Sequence, residues 1–216
     1  MADDDALNKF AHALGTWMEE SLGVHESFLS TIHTDDDWTF ILKIHAIVEA
    51  GLNQMILNHF AEPRISRIIT KLQIGNSGTG KLAFAKALDL IPLESREFIS
   101  VLSDIRNFCI HDVKNFDFDL KSYVKSLPLG KLDEFLRTAT FSMLRSLEIP
   151  DFSITEYQQT ITDNPRLGIL SAGIGFLGDV IIHQKQCQLR DATAEVQRLQ
   201  AEEFHRSSES SPTEQA

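Results

Sequence analysis

Apolar residues recur three and four positions apart along almost the whole chain, the spacing that lines one face of an α-helix. Leu7, Phe10, Ala11, Leu14, Trp17 and Met18 mark a first amphipathic helix. A second is predicted from about Trp38 to Phe60, with Phe40, Ile41, Ile44, Ile47, Val48, Leu52, Met55 and Ile56 on a face wide enough for a central core helix. Thr34 and the run Asp35-Asp36-Asp37 precede it, and acidic groups there cap free N–H groups and complement the helix dipole. Capping is preferred over a metal site that joins these aspartates to His33.

Pro63 ends that helix and a short basic amphipathic piece, Arg64 to Leu72, follows. After a glycine loop, Lys81 to Leu90 reads as helix. Ser95 to about Ile110 is another, with Phe98, Val101, Leu102, Ile105 and Phe108/Cys109 inward. Asp112 to Phe118 is predicted as loop, Leu120 to Leu127 as a short helix, and Lys131 to Leu147 as a longer one. Pro150 to Asn164 reads as an irregular polar connector, and Pro165 opens a long helix to about Phe204. No alternating β-branched run demands a sheet. The expectation is an all-α bundle: one helical domain over 1–182, an amphipathic C-terminal helix over 183–205, and a disordered polar tail over 206–216.

The C-terminal helix carries a short heptad. Ile182, Leu189 and Val196 share one position, and Lys185, Ala192 and Leu199 the other. Leu167 to Ile182 is apolar, but it is short of a membrane span, holds Asp179 and is weakened by four glycines. A buried or dimer-facing helix is expected there rather than a membrane segment. The acidic start, Met1 to Asp5, lacks the features of a signal peptide.

Composition narrows the function. The net charge of −11 argues against a surface that coats nucleic acid or an anionic membrane. The charge is uneven: −9 over residues 1–62, +4 over 63–146 and −6 over 147–216. A phosphate site is therefore expected only in the middle third. Two cysteines, Cys109 and Cys187, exclude a disulfide framework and a four-cysteine zinc site within one chain. The reading is a reduced, cytoplasmic protein without metal or cofactor.

Two motifs carry chemistry. Gly75-Asn76-Ser77-Gly78-Thr79-Gly80-Lys81 matches the Gly-x4-Gly-Lys of a phosphate loop, but Leu82 stands where a hydroxyl would bind magnesium. Such a loop needs a strand before it, and Ile68 to Ile74 is the only stretch for one. A glycine-rich turn into a helix is preferred. A bound anion at Gly78, Gly80 and Lys81, and with it a nucleotide binder, is the distant reading.

The second motif is Arg106-Asn107, three further residues, then His111, at the end of an amphipathic helix. Asp104, Asn107 and His111 share a face at i, i+3, i+7. Arg106 and His111 stand about 140° apart on an ideal helix, so they converge only where the helix ends near Ile110 or where a second subunit brings its own copy. An arginine fork holds a phosphate and steadies developing charge, while a histidine moves protons near neutral pH. That combination suits phosphodiester cleavage by an adjacent ribose hydroxyl, with no metal.

The stretches FILKIHAIVEAGLNQMI, GNSGTGKLAFAKALDLI and FISVLSDIRNFCIHD resemble the HEPN superfamily of all-α domains, and are most similar to the mannitol operon repressor family over roughly residues 36–115. The resemblance implies a metal-independent endoribonuclease acting on RNA as a homodimer. Arg106 would hold phosphate, His111 would be the general acid/base, and Asn107 would orient one of them. Glu49 and Asp104 would support the site, Glu49 as the partner of Arg106. His45, one turn earlier, is expected to be a hydrogen-bonded core histidine. The mannitol repressor relatives are regulators, so the resemblance equally admits a non-catalytic protein that binds a protein partner through its helices.

Overall fold

The computed structural model describes residues 28–75, 78–146 and 153–209, and a few positions between 15 and 25. The predicted first helix lies almost wholly outside the described residues. The helices of seven or more residues are α1 (Asp37–Phe60), α2 (Lys81–Ala87), α3 (Leu93–His111), α4 (Leu120–Ser126), α5 (Leu129–Ser146), α6 (Ile154–Asp163) and α7 (Pro165–Glu209). Short helical turns at Phe28–Thr31, Ile32–Thr34, Pro63–Ile65, Ser66–Ile69 and Val113–Asp117 join them. No strand occurs among the described residues, and the fold is an all-α bundle with a long C-terminal helix. Residues 66–69 are helix and 70–75 are turn, so the strand that a phosphate loop would need is not there.

Four helices form a ring. α1 packs on α3 and α7, and α5 packs on the same two. α2 lies against α1, while α4 and α6 close the side formed by α5 and α7. The α1 face holds Phe40, Ile41, Ile44, Ile47, Val48, Leu52, Met55 and Ile56 buried in the core, and α7 answers with Ile169, Ala172, Phe176, Leu177, Val180 and Ile181. Gly51 brings α1 close to α7: a Cβ there would stand 3.1 Å from Leu177 Cδ2.

The aspartates before α1 divide their work. Asp36 is the N-cap and accepts from the Thr39 amide at 2.9 Å. Asp35 pairs with Lys43 at 2.8 Å. Asp37 accepts from the Leu120 amide at 2.7 Å and pairs with Arg166 at 3.0 Å. Arg166 also donates to the carbonyls of Asp35 and Ile32 and lies 4.5 Å over the Phe40 ring. It thereby ties the start of α7 to the start of α1.

Two expectations change. The connector before Asn164 contains α6, started by Ser153, whose side chain accepts from the Glu156 amide at 3.3 Å, and buried through Tyr157 and Ile161. The helix after Pro165 is continuous to Glu209. Length is therefore no obstacle to a span: α1 and the stretch Pro165–Glu203 are both long and apolar enough to cross a membrane. About half of each apolar window is buried inside the bundle (56% and 50%), which is how core helices of a bundle also read. Tail positions 206–209 continue α7, and those beyond lie outside the described residues.

Candidate functional site

The polar face of α3 and the middle of α1 meet at an open cavity of about 550 Å³, closed on one side by Gln73, Ile74 and Gly75. α3 contributes Ser100, Ser103, Asp104, Arg106, Asn107 and His111, and α1 contributes His45 and Glu49. Five of the sequence-predicted site residues, Arg106, Asn107, His111, Glu49 and Asp104, thus come together.

The end of α3 is held firmly. The Trp38 indole donates to the Cys109 carbonyl at 3.2 Å, and the Asn115 amide donates to the Phe108 carbonyl at 2.6 Å. Phe108, Phe118 and Tyr123 form an aromatic cluster beside it, with centroids 4.8–5.9 Å apart. These contacts satisfy carbonyls that have no partner within the helix. They fix His111 as its last residue, with Asp112 leaving in extended conformation. The helix ends at His111, one residue past Ile110, and Arg106 and His111 line one cavity of one protomer.

Arg106 donates to Asn107 Oδ1 at 3.1 Å. Neither Arg106 nor His111 enters an ion pair among the described residues, and His111 is exposed. The expected pairing of Glu49 with Arg106 is not formed. Glu49 instead takes the ammonium of Lys81, which also lies 3.4 Å from the Thr70 carbonyl. Lys81 is 0% exposed, so the lysine of the glycine loop points into the protein and away from any loop-bound anion. The first amides of α2 are spent as well: Lys81 N–H donates to Gln73 at 3.0 Å and Leu82 N–H to Ile74 at 3.2 Å. The Lys81 side chain and the first two amides of α2 thus face the protein rather than the loop.

His45 is buried, as expected of a core histidine, and it faces the cavity. The Ser103 hydroxyl donates to the Ile99 carbonyl at 2.7 Å and lies 3.4 Å from His45 Nε2. His45 Nδ1 lies 3.9 Å from Glu49 Oε2. Burial holds the His45 pKa below its usual value. The positive charges of Arg106 and Lys81 add to this, and Glu49 opposes it. Asp104 is exposed and lies 3.9 Å from Lys131.

Ser100 and Ser103 escaped the sequence reading. Their signal was present: Ser100, Ser103, Asn107 and His111 repeat at i, i+3, i+7, i+11, a polar stripe on one face of α3. The turn residues Gln73 to Gly75 gave no signal of their own, because α1 and α3 bring them there. Among the described residues no group of three or more His, Cys, Asp or Glu side chains is placed to hold a metal ion. No family model, no characterised protein and no solved structure matches the chain.

Proposed function

We propose that the chain is a metal-independent endoribonuclease of the HEPN kind, acting in the cytoplasm as a homodimer. The observation that carries the reading is the convergence of Arg106, Asn107 and His111 on one polar cavity, with Arg106 and His111 outside any ion pair among the described residues. The Arg106 fork is available to two phosphate oxygens. Asn107 holds one of its nitrogens and sets its direction. His111 takes the proton of a ribose 2′-hydroxyl as that oxygen attacks the adjacent phosphorus. The bond from phosphorus to the 5′-oxygen breaks, the leaving oxygen gains a proton, and a 2′,3′-cyclic phosphate remains. Arg106 stabilises the charge gathering on the phosphoryl oxygens.

The test is cleavage of a single-stranded RNA in the presence of EDTA. Arg106→Ala and His111→Ala are each expected to lower the rate at least ~100-fold, the usual size of one charge-stabilising or proton-transfer contribution. A 2′-deoxy substitution at the cut site should block the reaction. Cleavage that survives both substitutions would sink the proposal.

A second reading, a non-catalytic regulator of the mannitol repressor kind that binds a protein partner, is favoured by one observation. Glu49 and Asp104 bring two carboxylates to the same cavity, which weakens its hold on a phosphate. That reading expects no cleavage from the unaltered protein.

A further inference from the structure

Beyond about Cys187, α7 leaves the bundle: every residue from 188 to 203 is exposed. Its apolar side chains there are not scattered. Ile182, Leu189, Val196 and Leu199 are 56%, 70%, 52% and 49% exposed. At about 100° per residue, Ile182, Leu189 and Val196 lie roughly 180° round the helix from Val180, at the centre of the face buried in the bundle. The stripe therefore does not continue the core-facing side. It begins on the outer side of α7 while the helix is still packed, next to Gly178, where an added Cβ would meet nothing within 4 Å. Folding that stripe back onto the bundle of described residues would require α7 to roll by about half a turn.

We infer that the stripe is covered by a second copy of this chain, joined as a parallel two-stranded coiled coil through Ile182, Lys185, Leu189, Ala192, Val196 and Leu199. The first, fourth-residue alternation of these positions is a heptad seam, and β-branched Ile182 and Val196 at one site with Leu199 at the other favour two parallel strands. The flanking charges permit self-pairing. In the parallel register Gln188 faces Thr193 and Glu195 faces Gln200 of the other copy, so no like charges oppose at these flanking positions. Lys185 meets the same lysine of the other copy across the seam, and that like-charge contact costs stability. An unpaired stretch of this length is marginal as a helix in water, and pairing supplies what it lacks. This inference rests on residues other than those of the cavity. It supplies the dimer that the ribonuclease reading uses and does not depend on it.

The experiment is sedimentation equilibrium of the full chain at micromolar concentrations. Unaltered protein is expected at twice the 24.3 kDa chain mass, and Leu189→Glu with Val196→Glu at the single mass with unchanged helical circular dichroism. Ala192→Cys, in the seam, should form an intermolecular disulfide on oxidation, whereas Ala194→Cys, outside it, should not. A single mass for the unaltered protein, a dimer that persists in the double variant, or equal crosslinking at the two cysteines would each overturn the proposal. RNA cleavage is read separately in the same samples, so loss of the dimer and loss of the ribonuclease reading are distinguishable.

Discussion

A lysine at the first position of a helix sits at the wrong end of the helix dipole, where negative charge is favoured. Lys81 is that residue in α2, and it is also fully buried, so its charge demands a partner. Glu49 is the partner, placed there by α1. The glycine motif drew the sequence reading to the loop, when the physics of that position points inward. The expected outcome of Lys81→Met follows from this. Removing one member of a buried pair costs about 3–5 kcal/mol, but the Glu49 side chain keeps 33% of its exposure and can recover water. The loss in urea unfolding should be nearer 2 kcal/mol. Adding Glu49→Gln should return most of it, since the uncompensated carboxylate is gone. A Lys81→Met protein as stable as the parent would mean that the pair contributes nothing in solution. Arg106 is the complementary case. Its pairing with Glu49 was expected from the sequence, and Lys81 takes that carboxylate instead, which leaves the arginine to the cavity.

Helix positions were legible where the apolar face was broad. α1 and α3 begin and end within two residues of the pattern, because eight core side chains on α1 and five on α3 mark the face; Phe108, expected on the α3 face, is exposed and lies against Phe118 and Tyr123 instead. α6 was missed because only Tyr157 and Ile161 are buried and its other residues are polar or β-branched. The capping pair Ser153 and Glu156 was the usable signal. Contacts between elements were not legible, and Gly168 shows why. In sequence it is one of several glycines that weaken a helix. In the fold it is the point where α7 passes α5 and α6, and a Cβ there would stand 2.8 Å from Ile161 Cγ2 and 2.9 Å from Ala139 Cβ. Gly168→Ala gains up to about 1 kcal/mol of helix propensity and loses about 1–3 kcal/mol to overpacking. The Ala139 methyl cannot swing aside, so the loss prevails and the melting temperature falls. Gly173→Ala, five residues along, meets Ile44 Cγ2 at an ordinary 3.7 Å and should be neutral or stabilising. A rise in melting temperature for Gly168→Ala would show that α7 lies further from α5 than the contact requires.

One helix serves two environments in this molecule, and that division is measurable along its length. From Pro165 to Cys187, α7 contributes core side chains to the ring with α1 and α5. Its backbone there opens only when the bundle does, so the amides should exchange at the global unfolding rate. From 188 to 203 every described side chain is exposed, and the ion pairs there are local, among them Glu195–Arg198 at 2.7 Å and Arg198–Glu202 at 3.9 Å. Such exposed pairs stabilise by about 0.3–0.5 kcal/mol each, far too little to protect an isolated helix. Hydrogen exchange of the Leu189→Glu, Val196→Glu variant should therefore show a sharp step near residue 187: slow amides before it, fast amides after. In the unaltered chain the seam pairing should carry protection past the step, and more so at higher protein concentration, because association stabilises only the paired state. Uniform protection along α7 in the variant would place the second half of the helix against its own bundle.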